Sequence, residues 1–271
     1  MMKDFDGRVA VITGGASGIG MGLASKLVDE GMKIVLADIE SDALEKAAET
    51  LRAKGAEVIG VQCDVSDRSQ VEALAITAYE HFGNVHFLAN NAGVVARHKA
   101  WESPEDWDWV LGIDLMGVIY GVQSFVPRML ASGEAGHVLN TASTAGLLAF
   151  PGIASYNVSK RGVVALSETL HHEFKKTALS VSVLCPGMVD TNIGTSERNR
   201  EGIDFQPNPE QFVVRDGNEN LTPDEVAEIV IDEIRQGIFW ILPHKHYGQQ
   251  ALEQANRRIS GGGPVMPYID R

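Results

Sequence analysis

The chain has 271 residues, 44% of them hydrophobic, with a formal net charge of -13 and two cysteines. That length and apolar content suffice for a sizeable core, expected as one domain over 1–271, and the acidic balance excludes a phosphate-backbone-binding surface, so no nucleic-acid partner is expected. Cys63 and Cys185 lie far apart without metal-ligand spacing, which points to reduced thiols and a cytoplasmic setting; "MMKDFDGRVAVITGG" carries no signal-peptide core, and no run of about 18 apolar residues marks a membrane span.

In chain order, "RVAVIT" (8–13) reads as a first strand, followed by a helix from near Gly18. Strand "KIVLAD" (33–38), a helix from near Ser41, strand "EVIGVQCD" (57–64), a helix from near Ser66 and strand "VHFLAN" (85–90) continue the alternation. Next come a helix from near Ser103, strand "HVLNTAS" (137–143), a helix from near Ser155 and strand "SVSVLCP" (180–186). A helix from near Thr222 and strand "IFWIL" (238–242) complete it. Two helix starts are marked by a hydroxyl N-cap, a proline and acids: Ser103-Pro104-Glu105-Asp106 and Thr222-Pro223-Asp224-Glu225. Continuously apolar strands with helical crossovers predict an α/β fold: a Rossmann-type, doubly wound, seven-stranded parallel sheet with helices on both faces. Residues 191–220 are polar and poorly periodic, which suits a substrate lid, and about 244–271 form a C-terminal tail.

"TGGASGIG" (13–20) directly follows the first strand and opens a helix, the setting a dinucleotide-binding glycine loop requires. Gly14 permits the tight turn, Gly18 lets backbone approach a pyrophosphate, and Gly20 allows close helix packing; Ser17 and Ile19 share the loop. Asp38 ends the second strand at the spacing from which a carboxylate reaches an adenosine ribose diol. No Arg or Lys follows at Ile39 or Glu40 to receive a 2'-phosphate, so NAD is expected over NADP. Further on, "YNVSK" places Tyr156 and Lys160 on one helix face. That pair alone leaves open whether Tyr156 is a core aromatic beside a surface lysine or an acid/base group.

Together, "TGGASGIG", "NNAG" (90–93), Ser143, "YNVSK" (156–160) and "PG" (186–187) occur in the order and approximate spacing of the short-chain dehydrogenase/reductase family, which the chain resembles over about residues 7–190. The resemblance implies an NAD-dependent oxidoreductase that interconverts a secondary alcohol and a ketone. It makes Tyr156 the acid/base, Lys160 its activator and a nicotinamide-ribose ligand, and Ser143 the donor to the substrate oxygen. A free tyrosine, with a pKa near ~10, is a poor base at neutral pH, and a neighbouring cation lowers that value. The resemblance places Asp64 and Val65 near the adenine and Asn90, Asn91, Ala92 and Gly93 along the cofactor. Pro186, Gly187, Val189 and Thr191 fall at the nicotinamide amide.

One position departs from the family pattern. "GIDLMG" carries Asp114 where members usually have an Asn that helps hold a water leading from the lysine to solvent. Asp114 either takes part in that relay or simply hydrogen-bonds backbone in a helix kink. Val94, Val95, Leu147, Phe150 and Met188 are expected pocket walls for a small apolar substrate. Helices near 104–131 and 155–176 commonly pair subunits in similar proteins, so a homo-oligomer, tetramer or dimer, is expected. The alternatives are a ketone reductase in the physiological direction and a catalytically idle NAD sensor or scaffold. No G-x-S-x-G elbow surrounds Ser143, and "PHKHY" (243–247) lacks a third ligand, so neither a hydrolase triad nor a metal site is expected. Trp101, Trp107 and Trp109 read as core and interface packing.

Overall fold

The computed structural model describes residues 2–200, 202 and 220–267; most of the expected 191–220 lid and the last residues of the expected tail lie outside the described residues. Strand and helix alternate through β1 (Val9–Thr13), α1 (Gly18–Asp29), β2 (Lys33–Asp38), α2 (Ser41–Arg52), β3 (Val58–Gln62), α3 (Arg68–Phe82) and β4 (Phe87–Asn90). A continuous helical stretch follows, made of α4 (Pro104–Leu111), a π turn (Gly112–Met116) and α5 (Gly117–Ser132). After it come β5 (Gly136–Thr141), α6 (Ala154–Glu173), β6 (Leu179–Leu184), a 3-10 segment (Asn192–Asn199), α7 (Pro223–Gln236), β7 (Trp240–Ile241) and α8 (Lys245–Ile259).

All seven strands are parallel, in the order β3-β2-β1-β4-β5-β6-β7. Side chains alternate across each strand. In β1, Ala10 and Ile12 join Leu23 and Leu27 of α1 and Val230 and Ile234 of α7, whereas Val9 and Val11 join Leu74 of α3 and Phe125 and Met129 of α5. By length and composition Pro104–Ser132 could cross a membrane. Here α4 packs on α6 and α5 on α3, which buries Val118, Phe125 and Met129 inside the fold.

The strand order reverses between β1 and β4, so the loops that leave their C-terminal ends diverge and open a crevice, the usual ligand position in such sheets. The two marked helix starts behave differently. Thr222 has extended backbone, accepts from Glu225 N–H at 3.2 Å and donates its own N–H to the Glu225 carboxylate at 2.7 Å, a full capping box. Ser103 sits at φ 52° and its hydroxyl caps nothing; the expected cap fails because only extended backbone swings that oxygen over the first turn. Helix α3 begins at Arg68 rather than Ser66 because Asp67 accepts from Ser69 N–H at 2.8 Å, while Ser66 is held by Asp64. The expected tail contains α8, which the sequence reading did not resolve as a helix.

Candidate active site

A cleft of about 1560 Å³ runs along the C-terminal ends of the strands. At one end lie Gly14, Ser17, Gly18 and Ile19 of the β1–α1 loop, Asp38 and Ile39 after β2, and Asp64 and Val65 after β3. Asn91, Ala92 and Gly93 form its floor, and Ser143, Tyr156, Lys160, Pro186, Gly187, Val189 and Thr191 close the other end. Of the expected site residues, Gly20, Asn90, Asp114 and Leu147 stand off the wall: Gly20 presses against the Gly14 carbonyl and Asp114 lies behind Lys160.

At the first end the work is done by backbone. Gly14 and Gly18 sit at φ 62° and 53°, where a side chain is strained, and a Cβ on Gly14 would stand 2.8 Å from the Ala92 Cα. A side chain there would fill the cradle, so the loop fits a pyrophosphate laid against the positive N-terminus of α1. Asp38 is fixed by two backbone donors, Ala16 N–H at 3.0 Å and Glu40 N–H at 3.1 Å, leaving carboxylate lone pairs toward the cleft. The floor is fixed by Thr13, whose hydroxyl accepts from Asn91 and Ala92 N–H at 2.9 and 3.1 Å. Asn91 donates to the Thr13 and Gly14 carbonyls, while Asn90 is turned inward to Asn140 at 2.9 Å and is structural.

The second end is assembled from distant segments. Tyr156 lies in the first turn of α6, and Lys160, one turn on, brings Nζ to 5.4 Å from the phenol ring centroid. Lys160 is almost fully buried, and its ammonium donates to the Thr141 carbonyl at 3.2 Å. Ser143 follows β5 in extended backbone, its hydroxyl accepting from Ala145 N–H at 3.2 Å. Asp114 projects from the π turn and is wholly buried. One carboxylate oxygen accepts from Val94 N–H at 2.8 Å and the other lies 3.1 Å from Lys160 Nζ. The kink contact and the lysine contact thus coexist.

The electrostatics follow from burial. Burial pushes the Tyr156 phenol up from its ordinary value; Lys160 opposes that, the Asp114 carboxylate adds to it and the Ser143 hydroxyl opposes it. Burial alone would lower the Lys160 ammonium, but the contact with Asp114 and the neighbouring Tyr156 together more than offset this and raise it. Asp114 is itself raised by burial against the pull of Lys160 and the Val94 N–H.

Several residues at the site escaped the sequence reading. His244 accepts from Gly187 N–H at Nδ1 (3.0 Å) and donates from Nε2 to the Met188 carbonyl (3.0 Å), so the "PHKHY" histidine braces the loop after β6. Its only sequence signal was its place just after the last strand. Ser196 of the 3-10 segment accepts from Val95 N–H at 3.0 Å, and Arg198 and Asn199 reach Glu40 at 2.5 and 2.9 Å, so this segment spans both ends of the cleft. Trp109 and Tyr247 join the expected Val94, Val95, Phe150 and Met188 in the wall. Leu147 does not: it packs into the cluster of Val118, Val163 and Val164 beneath. Trp107 meets His98 edge-on, whereas Trp101 is 80% exposed with Lys99 over its ring and so lies outside this chain's own core.

Residues 8–202 match the sequence profile of the family described as short chain dehydrogenase. The chain belongs to that family. A short-chain dehydrogenase/reductase from Burkholderia phymatum, solved in complex with NAD, superposes with a TM-score of 0.91 at 42% identity, over 98% of this chain and 99% of that one. The "CLA biosynthesis dehydrogenase/reductase" of Lactiplantibacillus plantarum is 31% identical over 283 residues, 99% of each chain. The 1-deoxy-11-beta-hydroxypentalenate dehydrogenase of Streptomyces exfoliatus is 38% identical over 187 residues, 68% of each. The short-chain dehydrogenase described here is thus an oxidoreductase of a family acting on alcohol groups.

Proposed function

We propose that this chain interconverts a secondary alcohol and a ketone on a small apolar substrate, with NAD as its cofactor. The observation that carries this reading is the convergence of Ser143, Tyr156 and Lys160 at one end of a cleft whose other end presents the glycine loop and Asp38. When bound, the nicotinamide supplies the hydride acceptor or donor. Asp38 binds the adenosine ribose diol, the loop of Gly14 to Gly18 binds the pyrophosphate, and Pro186, Gly187, Val189 and Thr191 hold the nicotinamide amide. The Ser143 hydroxyl donates to the substrate oxygen and Tyr156 Oη takes or returns its proton, while Lys160 binds the nicotinamide ribose.

Two features support NAD over NADP. Asp38 places a negative charge where a 2'-phosphate would stand, and Glu40 follows it. Arg198, the guanidinium that meets Glu40 at this end, is engaged by that carboxylate and by the Thr195 carbonyl. Walls of Val94, Val95, Trp109, Phe150 and Met188 favour an apolar substrate. The exposed Trp101 and Ile259 are consistent with a homo-oligomer.

The test is a panel of secondary alcohols with NAD+ and of ketones with NADH, followed by NADH absorbance. Turnover on bulky apolar members and tighter binding of NADH than NADPH are expected. Tighter NADPH binding would refute the Asp38 argument, and NADH binding without any turnover would leave only the sensor reading.

A further inference from the structure

The π turn between α4 and α5 delivers Asp114 to a place where a carboxylate is costly unless compensated. Gly93 makes the approach possible, since a Cβ there would stand 3.1 Å from Lys160 Nζ and 3.5 Å from an Asp114 oxygen. The carboxylate is completely buried, the ammonium nearly so, and the two lie 3.1 Å apart, in direct contact. One Asp114 oxygen accepts from Val94 N–H at 2.8 Å and the other lies 3.1 Å from Lys160 Nζ, close enough for the two opposite charges to offset each other's burial. The ionised pair is therefore the form this geometry favours.

An ammonium that already holds a carboxylate acts on a nearby phenol as a dipole, and a dipole's influence falls off faster with distance than that of a bare cation. We propose that Asp114 is a positioning residue for the alcohol–ketone reaction: by compensating Lys160 it makes Tyr156 a base only at higher pH than the lysine alone would set. This rests on the reading of Tyr156 as the acid/base group.

Among the described residues, other titratable and charged groups near Tyr156 and Lys160 have places of their own: on α6, Arg161 donates to the Leu147 carbonyl at 2.8 Å, and Arg97 lines the cleft after β4. From the end of β6, Cys185 is a neutral thiol, pushed up to about 12 by burial. From the loop after β4, His98 is hydrogen-bonded to Ser155 at 2.7 Å and to the Lys99 carbonyl, and Lys99 pairs with Glu102. From α4 and the 3-10 segment, Asp106 binds Arg200 and Glu40 binds Arg198. From the last helix comes the buried Tyr247, and His244 before it is committed to Gly187 and Met188.

The sign follows directly. Alcohol oxidation needs the phenolate and rises with pH through the Tyr156 titration; ketone reduction needs the phenol and falls through the same titration. With Asp114 in place both limbs lie at high pH, and Tyr156 is a proton donor near neutrality. That favours the reductive direction kinetically there.

The test compares pH profiles of kcat/KM, in both directions, for the wild type and the isosteric Asp114→Asn. The variant is expected to move the rising oxidation limb and the falling reduction limb to lower pH together, by about one unit, the scale on which a neighbouring charge shifts such a group. Unmoved limbs, or a shift to higher pH, would overturn the proposal. Should Asp114→Asn fail to fold, Tyr156 can be titrated without substrate, from the ultraviolet tyrosinate signal of the wild type minus that of Tyr156→Phe. A midpoint at or above the ordinary ~10 supports the proposal, and one clearly below it overturns it. Because this titration requires no turnover, its failure is distinguishable from failure of the alcohol–ketone reading.

Discussion

The two ends of the cleft are built by different means. The glycine-loop end is built mostly from local backbone, β1, the loop and the start of α1, with the Asp38 carboxylate added at the end of β2, held in register by Thr13↔Ala37 pairing. The catalytic end is assembled from side chains on the π turn, the segment after β5, the first turns of α6 and the loop after β6. Its chemistry therefore depends on packing between elements far apart in sequence. A backbone site tolerates little change in glycine or turn geometry, whereas a side-chain site is open to change through one neighbouring residue, such as Asp114 at 3.1 Å from Lys160.

That contrast gives a graded set of outcomes. The largest effect is expected for Tyr156→Phe, which removes the proton-transfer group and should lower kcat by about 10²–10⁴-fold while NADH affinity, read by fluorescence titration, changes little. Asp38→Ala should do the reverse: loss of charge-assisted hydrogen bonds raises the NADH dissociation constant by about 10–100-fold, with kcat at saturating cofactor largely kept. If Tyr156→Phe abolished cofactor binding, or Asp38→Ala chiefly lowered kcat, the separation of the two ends would be wrong. The smallest effects concern scaffold alone. Thr222→Ala should lower Tm by a few degrees, the loss of about 1 kcal/mol of capping, and Ser103→Ala should leave Tm nearly unchanged. Equal losses for the two would contradict the difference in their backbone geometry.

Legibility in the sequence follows the same division. The parallel sheet, the glycine loop and Asp38 were readable because hydrophobic runs, turn glycines and a strand-end acid act locally. Asp114 was visible as a departure at its position, but its two simultaneous partners, Val94 and Lys160, follow from a π turn that no residue pattern announced. Ser103 carried the letters of a cap without the backbone angle that makes one. Leu147 and His244 show the limit from the other side. An apolar residue near Ser143 turned into the core, and a histidine set aside as a poor metal ligand became the brace of the loop after β6. Those outcomes depend on which segments meet in space.

The cleft lies beyond the strand ends, and its substrate walls come from the loop around Val94 and Val95, the turn at Phe150, the segment from Met188 to Ser196 and the face of Trp109. Apart from isolated contacts, these belong to neither of the two large apolar clusters that hold the sheet together. Substitutions in the walls therefore disturb little of the packing on which folding depends. Selectivity can drift while the reaction stays constant, so the sheet serves as a durable chassis on which new substrate preferences can be tried at small risk to the molecule.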